Sequence, residues 1–187
     1  METFLISTLA VAIAEIGDKT QLLSLLLAAR YRCFWPIAWG ILVATLLNHA
    51  LAAWLGALVA AWLSPDVLRW AVGLSFLAVA AWTLKPDRID DDAAPTSRHG
   101  VFVATTVAFF LAEIGDKTQV ATVVLAAQYA PLFWVVAGTT VGMLLANVPV
   151  VALGARFAHR LPLKTARWSA AALFAVLGLW VLLTASS

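Results

Sequence analysis

Long apolar segments separated by short polar connections run through the whole chain. Each segment contains about 20 or more mainly apolar residues, and one helix needs about that number to cross a bilayer core roughly 30 Å thick. The six segments lie at about residues 3–29, 36–63, 67–84, 101–127, 132–158 and 166–184. The pattern therefore predicts an all-α integral membrane protein with six transmembrane helices.

The composition supports a lipid bilayer as the surroundings of this chain. Hydrophobic residues make up 63% of the 187 residues and charged residues only 12%, whereas soluble domains average about 45–50% and about 25%. The net charge of +2 does not indicate a nucleic-acid partner, because the basic residues fall almost entirely in the connections. The single cysteine, Cys33, excludes an intrachain disulfide and a thiolate metal cluster.

The chain repeats itself with an offset of 98 residues. The sequence AEIGDKTQ occurs at residues 14–21 and again at 112–119, and the same offset aligns Gly40 with Gly138. Each copy contains three apolar segments, which is an odd number, so the second copy is expected to enter the membrane from the opposite side. Inverted repeats of this kind recur in secondary transporters. We predict a first repeat at 1–89, an acidic linker at 90–98 and a second, inverted repeat at 99–187.

The basic residues indicate how the chain is oriented in the membrane. Nine Lys and Arg residues lie in the connections on one side or at the segment ends beside them, and only Arg69 lies on the other side. Because cytoplasmic connections carry the excess of Lys and Arg, we expect both termini outside the cytoplasm and the acidic linker inside it. The nine residues are Arg30, Arg32, Lys85, Arg88, Arg98, Arg156, Arg160, Lys164 and Arg167.

The repeated motif places charged residues near the middle of the first and fourth apolar segments. On a continuous helix, Glu15, Asp18 and Lys19 share one face, because they are three and four positions apart. That face is not expected to contact lipid, since a charge at the bilayer centre costs at least about 2.5–3.5 kcal/mol. We expect it to meet the equivalent face of the second motif, formed by Glu113, Asp116 and Lys117.

The charges of the two motifs suggest that a cation is exchanged for protons. With every group ionised, four carboxylates and two lysines sum to −2, which either one divalent cation or two protons would neutralise. Cation and protons then compete for the same carboxylates. The predicted cation ligands are Glu15, Asp18, Glu113 and Asp116, and the residues predicted to balance the charge are Lys19 and Lys117.

Further polar side chains near the motifs narrow the choice of cation. The amides of Gln21, Gln119, Asn48 and Asn147 are expected to complete or orient the ligand shell. Such oxygen donors suit Mn²⁺, Ca²⁺ and Mg²⁺ better than zinc or copper. Mg²⁺ is the least favoured of the three, because it tends to keep several of its waters. His49 is the one nitrogen candidate, and a ligand role, a proton-relay role and a structural role are all open for it.

Glycines occupy two kinds of special position in the apolar segments. Gly17 and Gly115 lie inside the motifs, where they either break the helix, which frees backbone carbonyls for a cation, or permit close helix packing. Gly138 and Gly142 have a GxxxG spacing, and Gly40 matches the first of them in the other repeat. That spacing predicts close packing of helices.

Three other interpretations of the buried charges are open. Glu15 and Lys19 have the favourable i, i+4 spacing for an ion pair within one helix, which would make the motifs purely structural. Asp18 and Asp116, one on each of two helices, suggest an intramembrane aspartyl protease, in which two close aspartates share a proton. A divalent cation channel with the same site is the third alternative, and its flux would not depend on a pH gradient.

The doubled motif resembles the signature of a known transporter family. Residues 15–20 and 113–118 both read E-I-G-D-K-T. They match the pattern E-x-G-D-[KR]-[ST] of the small cation/proton exchanger family, which includes bacterial manganese exporters and the manganese and calcium transporters of the Golgi and the chloroplast. The resemblance covers nearly the whole chain. It implies a transporter and not an enzyme, no cofactor, motif acids that bind Mn²⁺ or Ca²⁺, and manganese efflux across a bacterial inner membrane.

Overall fold

The computed structural model describes residues 1–84, 100–154 and 163–183, and these residues form eight α-helices and no strand. The helices are α1 (Glu2–Glu15), α2 (Lys19–Tyr31), α3 (Phe34–Trp62), α4 (Pro65–Thr83), α5 (Val101–Glu113), α6 (Lys117–Gln128), α7 (Leu132–Leu153) and α8 (Leu163–Leu183). The all-α prediction is therefore confirmed for the described residues. The predicted linker at 90–98 lies outside them.

The outer surface of the helices is apolar, as in a membrane protein. By length and composition, α3 and α7 are each able to cross a membrane. Along one face of α3, Leu47, Leu51 and Trp54 are exposed by 50%, 55% and 59%. Soluble monomers rarely expose long apolar stripes of this kind, so the surface fits a lipid environment.

Both copies of the motif interrupt a helix. The predicted segments 3–29 and 101–127 are each divided into two helices, with the breaks between Glu15 and Lys19 and between Glu113 and Lys117. At the breaks, Gly17 and Gly115 have φ angles of +82° and +73°, a conformation that glycine adopts readily and other residues do not. The prediction that each motif lies on one face of a continuous helix is wrong, and the helix-breaking interpretation of these glycines is confirmed.

Corresponding helices of the two sequence copies make corresponding contacts. Helix α1 packs against α7, and its counterpart α5 packs against α3, the counterpart of α7. Helices α4 and α8 pack against each other. At their contact the rings of Phe76 and Phe174, which are 98 positions apart, stack with their centroids 6.2 Å apart. Equivalent residues thus meet at the junction of the two halves.

The glycines with GxxxG spacing lie where helix backbones approach closely. A Cβ atom added to Gly142 would come within 2.6 Å of the Thr8 carbonyl oxygen of α1, and one added to Gly138 within 2.6 Å of the Phe4 carbonyl oxygen. A Cβ on Gly40 would lie 2.7 Å from the Thr105 Cβ of α5. The packing interpretation of these three glycines is confirmed.

The α4 and α8 pair covers only one side of the remaining helices. Helix α4 packs against α6, and α8 packs against α1, around an apolar cluster that includes Phe76, Val124 and Phe174. Helices α2 and α5 lie against a second apolar cluster, which includes Leu27 and Phe109 and receives no described residue from α4 or α8. Helix α6 contributes only to the first cluster, whereas α2 and α5 contribute only to the second.

Candidate functional site

The two helix breaks face each other and exchange ion pairs. The Lys19 ammonium of the first motif lies 2.9 Å from Asp116 Oδ1 of the second. The Lys117 ammonium of the second motif forms an ion pair with Asp18 of the first. The structure therefore brings together four of the six predicted charged residues. The alternative of an ion pair between Glu15 and Lys19 along one helix is wrong, because the helix ends between them and Lys19 pairs with the other motif.

The two crossed ion pairs differ in their access to solvent. The Lys117 side chain is 2% exposed and that of Asp18 is fully buried. The Lys19 side chain is 26% exposed, although its partner Asp116 is only 3% exposed. Two motifs of identical sequence therefore occupy unequal environments, and Lys19 is the accessible member of the four.

The two glutamates lie at the centre of the site with part of their hydrogen-bonding capacity unused. Both Glu15 and Glu113 are fully buried. The Thr20 hydroxyl donates to Glu15 Oε2, and the Thr118 hydroxyl lies 3.4 Å from Glu113 Oε2 and 3.3 Å from Asp116 Oδ2. Among the described residues, the Oε1 atoms of both glutamates have no hydrogen-bond partner. Each glutamate thus has an oxygen available to a ligand.

Three carboxylates converge closely enough to hold a metal ion. Glu15, Glu113 and Asp116 each offer one oxygen, and these oxygens lie within 4.8 Å of one another. Like charges at such distances repel strongly in a buried site unless protons or a cation compensate them. An all-oxygen set suits a hard divalent cation such as Mn²⁺ or Ca²⁺.

The predicted glutamines stabilise the helix breaks. The backbone N–H of Gly17 donates to Gln21 Oε1 at 2.8 Å, and that of Gly115 donates to Gln119 Oε1, also at 2.8 Å. The Gln21 amide nitrogen in turn donates to the Ala146 carbonyl oxygen of α7 at 3.1 Å. The glutamine oxygens are therefore engaged by the backbone, which orients the motifs.

The predicted asparagines are bonded to neighbouring helices. Asn48 Nδ2 donates to the Phe110 carbonyl oxygen at 3.1 Å, one of the carbonyls that the end of α5 leaves without an intrahelical partner. Asn147 Oδ1 accepts from the Ser24 hydroxyl at 2.8 Å, and its Nδ2 donates to the Met143 carbonyl oxygen at 3.1 Å. Both asparagines hold the helices around the carboxylates and lie outside the group of three.

His49 distinguishes the surroundings of the two glutamates. Its Nε2 atom is 3.8 Å from Glu113 Oε2, and both side chains are fully buried. The residue 98 positions further on is Asn147, which binds Ser24 instead. His49, the one nitrogen donor predicted near the site, therefore lies beside Glu113, and its counterpart in the second repeat is an asparagine.

Hydroxyl groups are the part of the site that sequence reasoning missed. Thr20 and Thr118 bind the motif carboxylates, and Ser24 binds Asn147. Both threonines were visible as the sixth residue of the motif, and Ser24 follows Thr20 by one helical turn on α2. All three are buried, and a buried hydroxyl needs a hydrogen-bond partner.

Comparison with known proteins agrees with this geometry. A family model described as divalent cation/proton antiporter GDT1 matches residues 3–91 and 101–187. The chain belongs to the GDT1 family. The sequence-based resemblance to cation/proton exchangers is thereby confirmed, and the matched family is one of transporters.

A curated relative extends the comparison. The chain is 57% identical over 180 residues to a protein of Vibrio cholerae serotype O1 named "Putative manganese exporter". The alignment covers 96% of this chain and 90% of that relative. No solved structure matches the chain. Its GDT1 membership therefore rests on sequence, and the buried carboxylates agree with it.

Proposed function

We propose that this protein exports a divalent cation, Mn²⁺ in the first place and Ca²⁺ in the second, in exchange for protons. The observation that carries the proposal is the buried group of Glu15, Glu113 and Asp116, whose oxygens lie within 4.8 Å of one another. With Asp18 and the two crossed lysines, the site has a formal charge of −2 when every group is ionised. One divalent cation or two protons restore neutrality, so the two substrates bind alternately.

The lengths of the helices support a site near the membrane midplane. Helices α1 and α2 have 14 and 13 residues, which is about 20 Å each at 1.5 Å per residue. As the two halves of one membrane crossing, they put the break near the middle of a bilayer core about 30 Å thick. Broken helices that meet at the midplane are the usual form of ion sites in secondary transporters.

The topology that we propose has six membrane crossings in two inverted repeats. Helices α1 with α2 and α5 with α6 form two crossings, and α3, α4, α7 and α8 form the other four. The two segments matched by the family model, 3–91 and 101–187, support the division into repeats. The excess of basic residues in connections on one side supports a cytoplasmic linker, external termini and a bacterial inner membrane location.

The chemistry of the site favours Mn²⁺ over the other candidate cations. Carboxylate oxygens suit both Mn²⁺ and Ca²⁺, and the nitrogen of His49 near Glu113 adds a donor that suits a transition metal. The name of the Vibrio cholerae relative also specifies manganese. A protease is disfavoured, because Asp18 and Asp116 each pair with a lysine and an aspartyl dyad requires two aspartates that share one proton.

Flux in proteoliposomes tests the proposed exchange. Purified protein is reconstituted, an imposed pH gradient drives transport, and a trapped metal-sensitive dye reports Mn²⁺ and Ca²⁺. We expect gradient-driven Mn²⁺ movement that Asp116→Asn and Glu113→Gln abolish. The matched control is Asp66→Asn. The Asp66 side chain lies outside both motifs, is 76% exposed and has Arg69 at 3.8 Å. This variant should retain flux.

Each other outcome of this experiment identifies a different function. Mn²⁺ flux that does not respond to the pH gradient indicates a channel. Flux lost with Asp116→Asn but retained with Glu113→Gln would remove Glu113 from the cation site. No metal movement under any gradient would refute transport.

A further inference from the structure

We propose that Lys19 is a built-in competitor of the transported cation, an inference that rests on the proposed function. Its ammonium group lies 2.9 Å from Asp116 Oδ1. When the cation binds to Glu15, Glu113 and Asp116, Lys19 leaves Asp116 and one of the four carboxylates keeps a proton, so that the site stays neutral. Lys117 stays on Asp18 during this step, so the two lysines of identical motifs have different roles.

The position of Asp116 makes the competition unavoidable. Asp116 is at once the partner of Lys19, at 2.9 Å, and one of the three carboxylates whose oxygens lie within 4.8 Å of one another. A divalent cation bound among these oxygens would stand only a few ångströms from an ammonium group that remained on Asp116. Like charges that close repel strongly in a poorly hydrated site. The cation and Lys19 therefore exclude each other.

The packing of the helices determines which lysine leaves. Lys117 is the first residue of α6, which α4 covers, and its side chain is 2% exposed. Lys19 is the first residue of α2, and α2 packs in the second apolar cluster, to which no described residue of α4 or α8 belongs. The Lys19 side chain is 26% exposed. Exposure of a lysine to lipid would be costly, so its exposed part faces water. A released Lys19 can be hydrated there, whereas a released Lys117 cannot.

The helix dipoles add to this tendency. Lys19 and Lys117 begin α2 and α6, and the positive end of a helix dipole lies at its N-terminus, where it repels a cationic side chain. Each lysine is therefore held at an unfavourable place by the aspartate opposite. When a cation binds Asp116, the ion pair that holds Lys19 in the site is lost.

Chemical labelling of the native lysines tests the displacement. The purified full-length protein in detergent is treated briefly with an amine-acetylating reagent, with EDTA or with saturating Mn²⁺, and acetylation is measured at each lysine by mass spectrometry. We expect Mn²⁺ to increase the acetylation rate of Lys19 about fivefold and to leave Lys117 unreactive. Lys85 and Lys164 serve as internal controls for the reagent. Bound Mn²⁺ is counted in the same samples by electron paramagnetic resonance.

The count of bound metal separates failure of this inference from failure of the proposed function. Bound Mn²⁺ with an unchanged or slower reaction of Lys19, or with equal activation of Lys117, would overturn the role of Lys19 and leave the transport proposal standing. No bound Mn²⁺ at any concentration would overturn both.

Affinity measurements on variants provide a second test. Lys19→Gln removes the competitor, so the Kd of this variant for Mn²⁺ should fall about fivefold. If the lysine were merely structural, the substitution would leave the affinity unchanged or weakened. Lys19→Arg keeps the positive charge and should retain a Kd close to that of the unmodified protein. Equal Kd values for Lys19→Gln and Lys19→Arg would contradict the proposal.

Discussion

The unequal burial of the two ion pairs predicts that Lys117→Met destabilises the metal-free protein much more than Lys19→Met. Asp18 is fully buried and Lys117 is 2% exposed. Removal of one partner from a buried ion pair costs about 3–5 kcal/mol, because the other charge stays buried without compensation. Methionine keeps much of the volume of the lysine chain, so the cost arises mainly from the lost charge.

The same change at Lys19 should cost less. Lys19 is 26% exposed, so water can replace part of its interaction with Asp116. Asp116 also has the Thr118 hydroxyl 3.3 Å from its Oδ2 atom. We expect Lys19→Met to lower the free energy of unfolding by about 1–2 kcal/mol, the lower part of the range of about 1–3 kcal/mol for loss of a hydrogen-bonding partner, because water replaces part of the interaction.

Thermal unfolding in detergent with EDTA measures the difference. For a chain of this size, about 1 kcal/mol corresponds to a change in Tm of about 2–4 °C. Lys117→Met should therefore lower Tm by about 6–20 °C and Lys19→Met by about 2–8 °C. The double variant Asp18→Asn with Lys117→Met should recover most of the loss, because neither charge is then buried alone. Equal Tm shifts for the two lysine variants, or a double variant as unstable as Lys117→Met, would refute this reasoning.

Two further predictions concern packing and the motif hydroxyls. Gly142→Ala should lower the free energy of unfolding by about 1–3 kcal/mol, since its Cβ would lie 2.6 Å from the Thr8 carbonyl oxygen. The control in the same thermal assay is Gly100→Ala, because a Cβ at Gly100 would have no neighbour within 4 Å. Thr20→Val should weaken Mn²⁺ binding about tenfold by removing the hydrogen bond to Glu15, and Thr20→Ser should restore it. Unchanged Mn²⁺ affinity of Thr20→Val in a titration would exclude a role for this hydroxyl.

The apolar pattern predicted most helices but not the breaks within two of them. Segments 36–63 and 67–84 correspond closely to α3 and α4, because continuous apolar runs leave the helix as the one local structure that satisfies the backbone in lipid. Segments 3–29 and 101–127 are also mainly apolar, yet each forms two helices. The signal for the break was a single glycine in each motif. The sequence alone does not show whether such a glycine adopts a positive φ and breaks the helix or permits close helix packing.

The sequence predicted which residues form the candidate site better than it predicted which of them pair with each other. Charge in an apolar segment was enough to identify the motif acids, since such groups are expensive to bury without a function. The partners of Lys19 and Lys117 depend instead on how the broken helices turn, which local spacing does not specify. The unequal burial of the two lysines depends on the position of α4 and α8, and two identical motif sequences contain no information about it.

The crossed ion pairs give a physical reason for two motifs in one chain. The ion pairs of Lys19 with Asp116 and of Lys117 with Asp18 each join a lysine to the aspartate of the other motif. One repeat alone would therefore bury an aspartate such as Asp18 without its ammonium partner, at a cost of several kcal/mol. The pairing also links the halves to each other, because a motif that moves away from its twin loses both its cation and its anion partner at once. A rearrangement that opens one side of the site must weaken one pair first, and the more exposed pair, Lys19 with Asp116, is the one that costs less to break.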